Sequence, residues 1–267
     1  MKNIFIAIFS LVIVLSCKKK VEYAAPFRTI ETDAFLRVMH VSANFRAIQN
    51  NPDSFDIYVG TSKINGTLFT YNAAFPATAI NTNTYAAVPS GAQQIRLSLR
   101  GVVKTDSLTI MSLQKVLEPG KYYTLFITDS LNAQQDPSRV WVNDVTFLPT
   151  DTNQYKVRFA HMILNDSAGK KVDVYSYRQA ANIFSAVAPG TVTDFAAFNV
   201  PSTLDTISIR RTGTGFELAR ISGVSFSKTR LYTILYKGSP GVVGAATGTG
   251  VTGTNVRARS VIVYNNR

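Results

Sequence analysis

The chain has 267 residues, 46% of them hydrophobic, and a formal net charge of +12. That length suits one large or two medium domains, and the apolar content excludes bulk disorder. A single cysteine, Cys17, excludes an intramolecular disulfide and a thiolate metal cluster. The basic balance favours anionic partners, but there is no dense Lys/Arg helix and no nucleic-acid motif, so nucleic acid is not an expected partner.

Met1 to Asn3 forms a short positive start, followed by an apolar run from Ile4 to Leu15 that only Ser10 interrupts. These 12 residues are too few to span a hydrocarbon core of roughly 30 Å as a helix. They have the length of a signal-peptide core instead. The run ends in Val14-Leu-Ser-Cys17, which looks like the lipobox of bacterial lipoproteins, with Leu15 departing from the preferred pattern. The expectation is a signal peptide over 1–16 and a mature chain that begins at lipidated Cys17 and binds the membrane through it. Lys18, Lys19 and Lys20 would then meet the headgroups, each worth about 1 kcal/mol against an anionic surface. Residues 17–33, with Pro26 and no sustained period, read as a tether.

A first β-domain is expected over 34–148. Leu36 and Val38 belong to its first strand, Phe55 to Val59 to the next, closed by Gly60. Further strands are expected at Thr67–Tyr71 and Thr78–Val88, the latter ending at the turn Pro89-Ser-Gly91. Gln94 to Arg100 alternates, with Ile95, Leu97 and Leu99 on one side and Arg96, Ser98 and Arg100 on the other. That pattern is a half-buried strand with one wet face. Ser107–Met111 alternates more loosely. Glu118-Pro-Gly-Lys121 is a turn into Tyr122–Ile127, and Arg139–Asn143 closes the domain. Short strands at this spacing read as an all-β sandwich.

Residues 149–154 read as a linker, and 155–267 repeat the first domain. Arg37 and His40 return as Arg158 and His161, and Asp56-Ile-Tyr58 returns as Asp173-Val-Tyr175. Val88-Pro-Ser90 is answered by Val200-Pro-Ser202, Ile95–Ser98 by Ile207–Arg210, and Tyr122–Phe126 by Leu231–Leu235. Arg259–Val263 answers the strand around Trp141. Two copies in order indicate tandem domains rather than a solenoid.

This order of motifs resembles the family catalogued as domain of unknown function 4397. The first half keeps Arg37, His40, Asp56, Tyr58, Pro119, Gly120, Tyr122 and Tyr123; the second keeps Arg158, His161, Asp173, Tyr175 and Tyr232. Neither half has the family's usual Ala-Ser-Pro after the histidine. The resemblance implies secreted or lipid-anchored envelope proteins built of immunoglobulin-like β-sandwiches, with no established enzymatic activity.

His40 and His161 are the only histidines. Either could be a metal ligand or a general base, but a lone histidine makes a poor metal site, and two equivalent copies favour a structural task with Asp56 and Asp173 as conceivable partners. Gly248-Thr-Gly-Val-Thr-Gly253 matches G-x-G-x-x-G formally, but a strand pattern follows it and only 14 residues remain, too few for a dinucleotide fingerprint. No G-x-S-x-G occurs, and neither Asp53 with Asp56 nor Asp166 with Asp173 has chelating-loop spacing. No catalytic residue, cofactor or metal is therefore expected. Tyr175, Tyr177 and Trp141 either stack on a ligand or fill a core. Four Asp-Ser/Thr-apolar triplets, starting at Asp106, Asp129, Asp166 and Asp205, resemble a bacterial O-glycosylation acceptor. The sequence points to a non-catalytic, outer-membrane lipoprotein for adhesion or ligand binding, on the periplasmic or the cell-surface side. Its partner would be a glycan or an envelope protein. The alternative is a structural spacer or assembly subunit, with a hydrolase a distant third.

Overall fold

The computed structural model describes residues 32–45, 54–77, 79–99, 109–128, 141–144, 148–164, 171–240 and 257–266. The signal peptide, Cys17 and the tether up to residue 31 lie outside these, as do the Gly248–Gly253 loop, Asp53 and Asp166, and the triplets starting at Asp106, Asp129 and Asp166; Asp33, the last tether residue expected, opens the first strand instead.

The described residues are β-strands joined by turns. In the first half they are β1 (Asp33–His40), β2 (Ser54–Val59), β3 (Ser62–Lys63), β4 (Phe69–Thr70), β5 (Ala74–Phe75), β6 (Ala86–Pro89), β7 (Gly91–Leu99), β8 (Thr109–Leu117), β9 (Tyr122–Ile127) and β10 (Trp141–Asp144). The second half contains β11 (Gln154–His161), β12 (Val172–Ser176), β13 (Ala181–Val187), β14 (Ala196–Asn199), β15 (Asp205–Arg211), β16 (Glu217–Val224), β17 (Leu231–Lys237) and β18 (Ser260–Asn265). Each half is a two-sheet sandwich. In the first, β10-β9-β1-β5, with β6 also on β1, faces β3-β2-β7-β8, with β4 also on β2. In the second, β14-β11-β17-β18 faces β13-β12-β15-β16. The repeat holds strand for strand: β1 runs parallel to β9 as β11 does to β17, and β2 pairs with β7 as β12 does with β15.

Alternation explains the cores. Leu36 and Val38 of β1, Phe55 and Ile57 of β2, and Ile95 and Leu97 of β7 fill the first sandwich; Val157, Phe159, Val174, Ile207, Ile209 and Ile234 fill the second. The expected strand at Thr78–Val88 shrinks to β6, and the one at Ser107–Met111 extends to Leu117. The Val-Pro-Ser correspondence is two residues out. Ala34 faces Val88 on β6, but its counterpart Tyr155 faces Phe198, so Val200, Pro201 and Ser202 fall in the loop after β14.

A third cluster joins the halves. Met39, Val41 and Phe126 of the first sandwich pack with Ala160, Met162, Leu235 and Tyr264 of the second. The inner sheets therefore lie face to face. Met39 of β1 and Ala160 of β11 enter this cluster from the sides of their strands opposite the two sandwich cores. At one end of the junction Asn44 Nδ2 donates to Ser239 Oγ (2.8 Å) and Arg257 Nη1 donates to the Ala43 carbonyl (2.9 Å).

Edges are managed too. Lys115 of edge strand β8 sits between Leu113 and Leu117 on the inward side, with its amine 5.5 Å from the Trp141 ring. An inward-pointing charge on an edge strand discourages pairing with another chain.

Candidate functional site

The repeated arginines face the junction rather than solvent, because they alternate with the core residues of β1 and β11. Arg37 is fully buried, and Arg158 is 2% exposed. Arg37 donates to Thr124 Oγ1 (3.3 Å), the Thr82 carbonyl (3.2 Å) and Tyr85 Oη (2.7 Å). Thr124 (2.5 Å) and Tyr85 (2.9 Å) both donate to Asp144 Oδ2, while Arg158 donates to Asp144 Oδ1. Asp144, at the end of β10, thus serves an arginine from each sandwich. Burial works against the Arg158 charge, but the Asp144 carboxylate more than offsets it and raises the pKa. Burial, then Asp144, raises the Tyr85 pKa and keeps its hydroxyl a donor. In the second half Arg158 Nε donates to Thr233 Oγ1 (2.9 Å), and Thr233 to Asn266 Oδ1 (2.7 Å). Asn266 stands where the first half has Asp144, so two guanidinium groups share one carboxylate.

The repeated histidines lie in the two cores, both with no exposed surface. His40 is surrounded by the rings of Phe45, Phe55, Phe69 and Tyr71, at 5.0 to 5.9 Å between centroids. His161 packs on Phe159 and Tyr236, with Nδ1 3.2 Å from the Val187 carbonyl oxygen. Asp56 and Asp173 alternate with core residues on β2 and β12, and so lie on the far sides of those strands. They do not take up the suggested partnership with the imidazoles. Asp56 pairs with Lys63 (2.7 Å), and Asp173 accepts from the Ala186 amide (2.8 Å) and Thr212 Oγ1 (2.9 Å). Among the described residues no group of three His, Cys, Asp or Glu side chains is placed to hold a metal ion.

Of the three aromatic candidates the fold brings two together. Trp141 packs against the first core and stacks on Tyr123 (5.2 Å between centroids). Tyr175 on the outer face of β12 and Tyr177 in the turn just after it meet edge-on at 5.3 Å. The β12–β15 register sets Arg210 opposite Asp173, one step from Tyr175. Its guanidinium carbon lies 3.5 Å from the Tyr175 ring centre and 5.3 Å from that of Tyr177. Arg220 of β16 stands 5.2 Å from the Tyr177 ring centre, donates to Tyr177 Oη (3.0 Å) and pairs with Glu217 (2.9 Å). Glu217 also accepts from Ser208 Oγ (2.7 Å). Tyr177 remains 44% exposed. The result is an outer face on which aromatic rings and guanidinium groups stand side by side. Such a face can stack on a sugar ring and donate to its hydroxyl or carboxylate oxygens. A fainter version stands on the first sandwich, where Arg96 lies 5.1 Å from the Tyr58 ring centre. Arg210, Arg220 and Glu217 escape sequence reading because only the sheet register places them beside the tyrosines.

In the remaining acceptor triplet, Asp205-Thr-Ile207, the aspartate has a structural task. Asp205 is buried and accepts from Ser176 Oγ (2.6 Å) and the amides of Arg178 (2.9 Å) and Thr206 (2.7 Å).

A family model described as domain of unknown function (DUF4397) matches residues 34–166. The match covers the first sandwich and continues through β11, whose Arg158 completes the network around Asp144. No curated protein matches the chain.

Proposed function

The chain belongs to the DUF4397 family over residues 34–166, and we propose that it acts as a non-catalytic ligand-binding module of the bacterial envelope, with a polysaccharide as ligand. The observation that carries this reading is the Tyr175–Tyr177–Arg210–Arg220 face, which is open on one side and held rigid by its own contacts. Aromatic and arginine side chains with little freedom left to lose are effective binding groups. The net charge of +12 adds attraction for an acidic polysaccharide. A non-catalytic role is supported by the placement of both imidazoles inside cores, walled off by rings.

The anchor belongs to the same proposal. Acyl chains on Cys17 would hold the protein on the outer membrane, with two chains giving stable attachment.

The experiment is binding of the purified full-length chain to a glycan array that includes acidic glycans, at low and at physiological salt. Saturable binding that survives physiological salt is the expected result. Binding that disappears with salt would reflect only the excess positive charge. No binding at either salt would favour the second reading, a rigid spacer or assembly subunit, which draws on the buried charge network that ties the two sandwiches together.

A further inference from the structure

The junction treats its buried cations unequally. At one end Arg37 and Arg158 share Asp144. At the other end Lys237, the last residue of β17, is only 3% exposed, and among the described residues no carboxylate pairs with it. Its amine stands 5.4 Å from the centre of the Tyr71 ring, which belongs to the first sandwich. The Arg257 guanidinium approaches the same ring at 5.7 Å. Two cations from the second sandwich therefore converge on one aromatic ring of the first. Hydroxyl and amide groups lie beside them: Ser239 is also 3% exposed, and its hydroxyl oxygen accepts from Asn44, which leaves its own hydrogen available to donate.

The backbone here is tightly fixed. Gly238 has φ +116°, and a Cβ at that position would run into the carbonyl of Ala258. The Ser239 amide donates to the Arg257 carbonyl (2.7 Å), and Ser239 bridges to Ala258. Lys237, Ser239 and Arg257 are thus held together by the close approach of two backbone segments that only glycine permits. An uncompensated buried ammonium is expensive where an apolar side chain would pack as well. Its retention beside a second cation and a free hydroxyl donor fits a site whose counter-charge comes from outside the chain.

We propose that the sandwich junction holds a binding site for a small oxyanion group, centred on the Lys237 amine and completed by Arg257 and Ser239. The shared ligand chemistry is a compact group bearing charged oxygens, either a phosphoryl group or the carboxylate of an acidic sugar. Burial lowers the pKa of Lys237 to about 8, so the amine still carries its proton at pH 7, and a bound anion would hold it more firmly. The site is separate from the tyrosine–arginine face and does not depend on it.

The test measures thermal unfolding of the full-length chain at pH 7 in sodium phosphate, sodium glucuronate and sodium chloride of equal ionic strength. Wild type and Lys237→Met are compared. The substitution removes a buried charge, so the variant should fold, and each protein is read against its own chloride baseline. The expected result is a saturable rise in the unfolding midpoint with phosphate or glucuronate beyond that in chloride, abolished in Lys237→Met. A response to phosphate alone assigns a phosphoryl ligand, to glucuronate alone an acidic sugar, and to both a general oxyanion site. Equal shifts in wild type and variant, or none beyond chloride, would overturn the proposal.

Discussion

Replacing Asp144 by asparagine keeps the shape of the side chain and removes the one carboxylate that two buried arginines share. The Asp144 side chain is 3% exposed, and those of Arg37 and Arg158 are 0% and 2% exposed. Neither guanidinium group can turn to water without opening the junction. Removing one partner of a buried ion pair leaves an uncompensated charge and costs about 3–5 kcal/mol. The asparagine can still accept from Thr124 or Tyr85, so the lower part of that range applies. Since about 1 kcal/mol moves the midpoint of a 150–250-residue protein by roughly 2–4 °C, the variant should unfold roughly 6–12 °C below wild type. The assay is chemical and thermal denaturation of the full-length chain, read by tyrosine and tryptophan fluorescence. Trp141 and Tyr123 report the first sandwich, and the second contributes tyrosines only. The near-symmetry of the halves supplies a control. Asn266→Asp places a carboxylate at the equivalent position, beside Thr233 and the second arginine, and added to Asp144→Asn it should restore part of the loss. A change below about 0.5 kcal/mol in Asp144→Asn, of the size expected for exposed substitutions, would refute the idea that this network ties the halves together.

Other consequences follow from the same packing. Lys237 has its pKa lowered by burial from 10.5 to about 8. Between those values the unfolded chain keeps a proton that the folded chain has released, so stability should rise from about pH 8 to about pH 10.5 and carry the full penalty below pH 8. The shift amounts to about 3 kcal/mol, partly offset by the Tyr71 ring; Lys237→Met should be more stable at pH 7 and lose this pH slope in urea titrations. Gly238→Ala should destabilise by about 1–3 kcal/mol, because it combines a left-handed backbone with a clash against Ala258; an unchanged denaturation midpoint would contradict that geometry. Cys17→Ala should abolish incorporation of radiolabelled palmitate in cells, and continued labelling would remove the anchor from the account.

The sandwich was legible where a strand has one wet face. Ile95, Leu97 and Leu99 alternate with polar residues, and β7 forms there. The duplication was legible because Arg37/His40 and Arg158/His161 stand at equivalent places. Sequence could not show that the arginine of each pair faces the other domain while the histidine faces its own core. Phe35 and Met39 put apolar residues on the same side of β1 as Arg37, so periodicity cannot say which partner that side meets. Asp144 was invisible for a related reason: its role depends on Arg158 across the junction, and the repeat has Asn266 in its place. Tyr175 and Tyr177 could be put on one face by counting alternate residues. Their guanidinium partners are 35 and 43 positions away along the chain (210 − 175 and 220 − 177), and β-strand register alone brings them in.

We propose that ligand binding falls on the tyrosine–arginine face of the second sandwich. The most direct test compares wild type with Tyr177→Ala and Arg210→Ala for the glycan bound most strongly on the array, at physiological salt, by isothermal titration. Tyr177 is exposed and Arg210 lies on the outer face, so both variants should keep the fold, and far-ultraviolet circular dichroism checks this. Loss of a stacking ring or its cation is worth about 1–2 kcal/mol, so each variant should bind roughly 5- to 30-fold more weakly. Unchanged affinity in both variants, with the fold intact, would contradict the claim and move the binding surface elsewhere on the molecule.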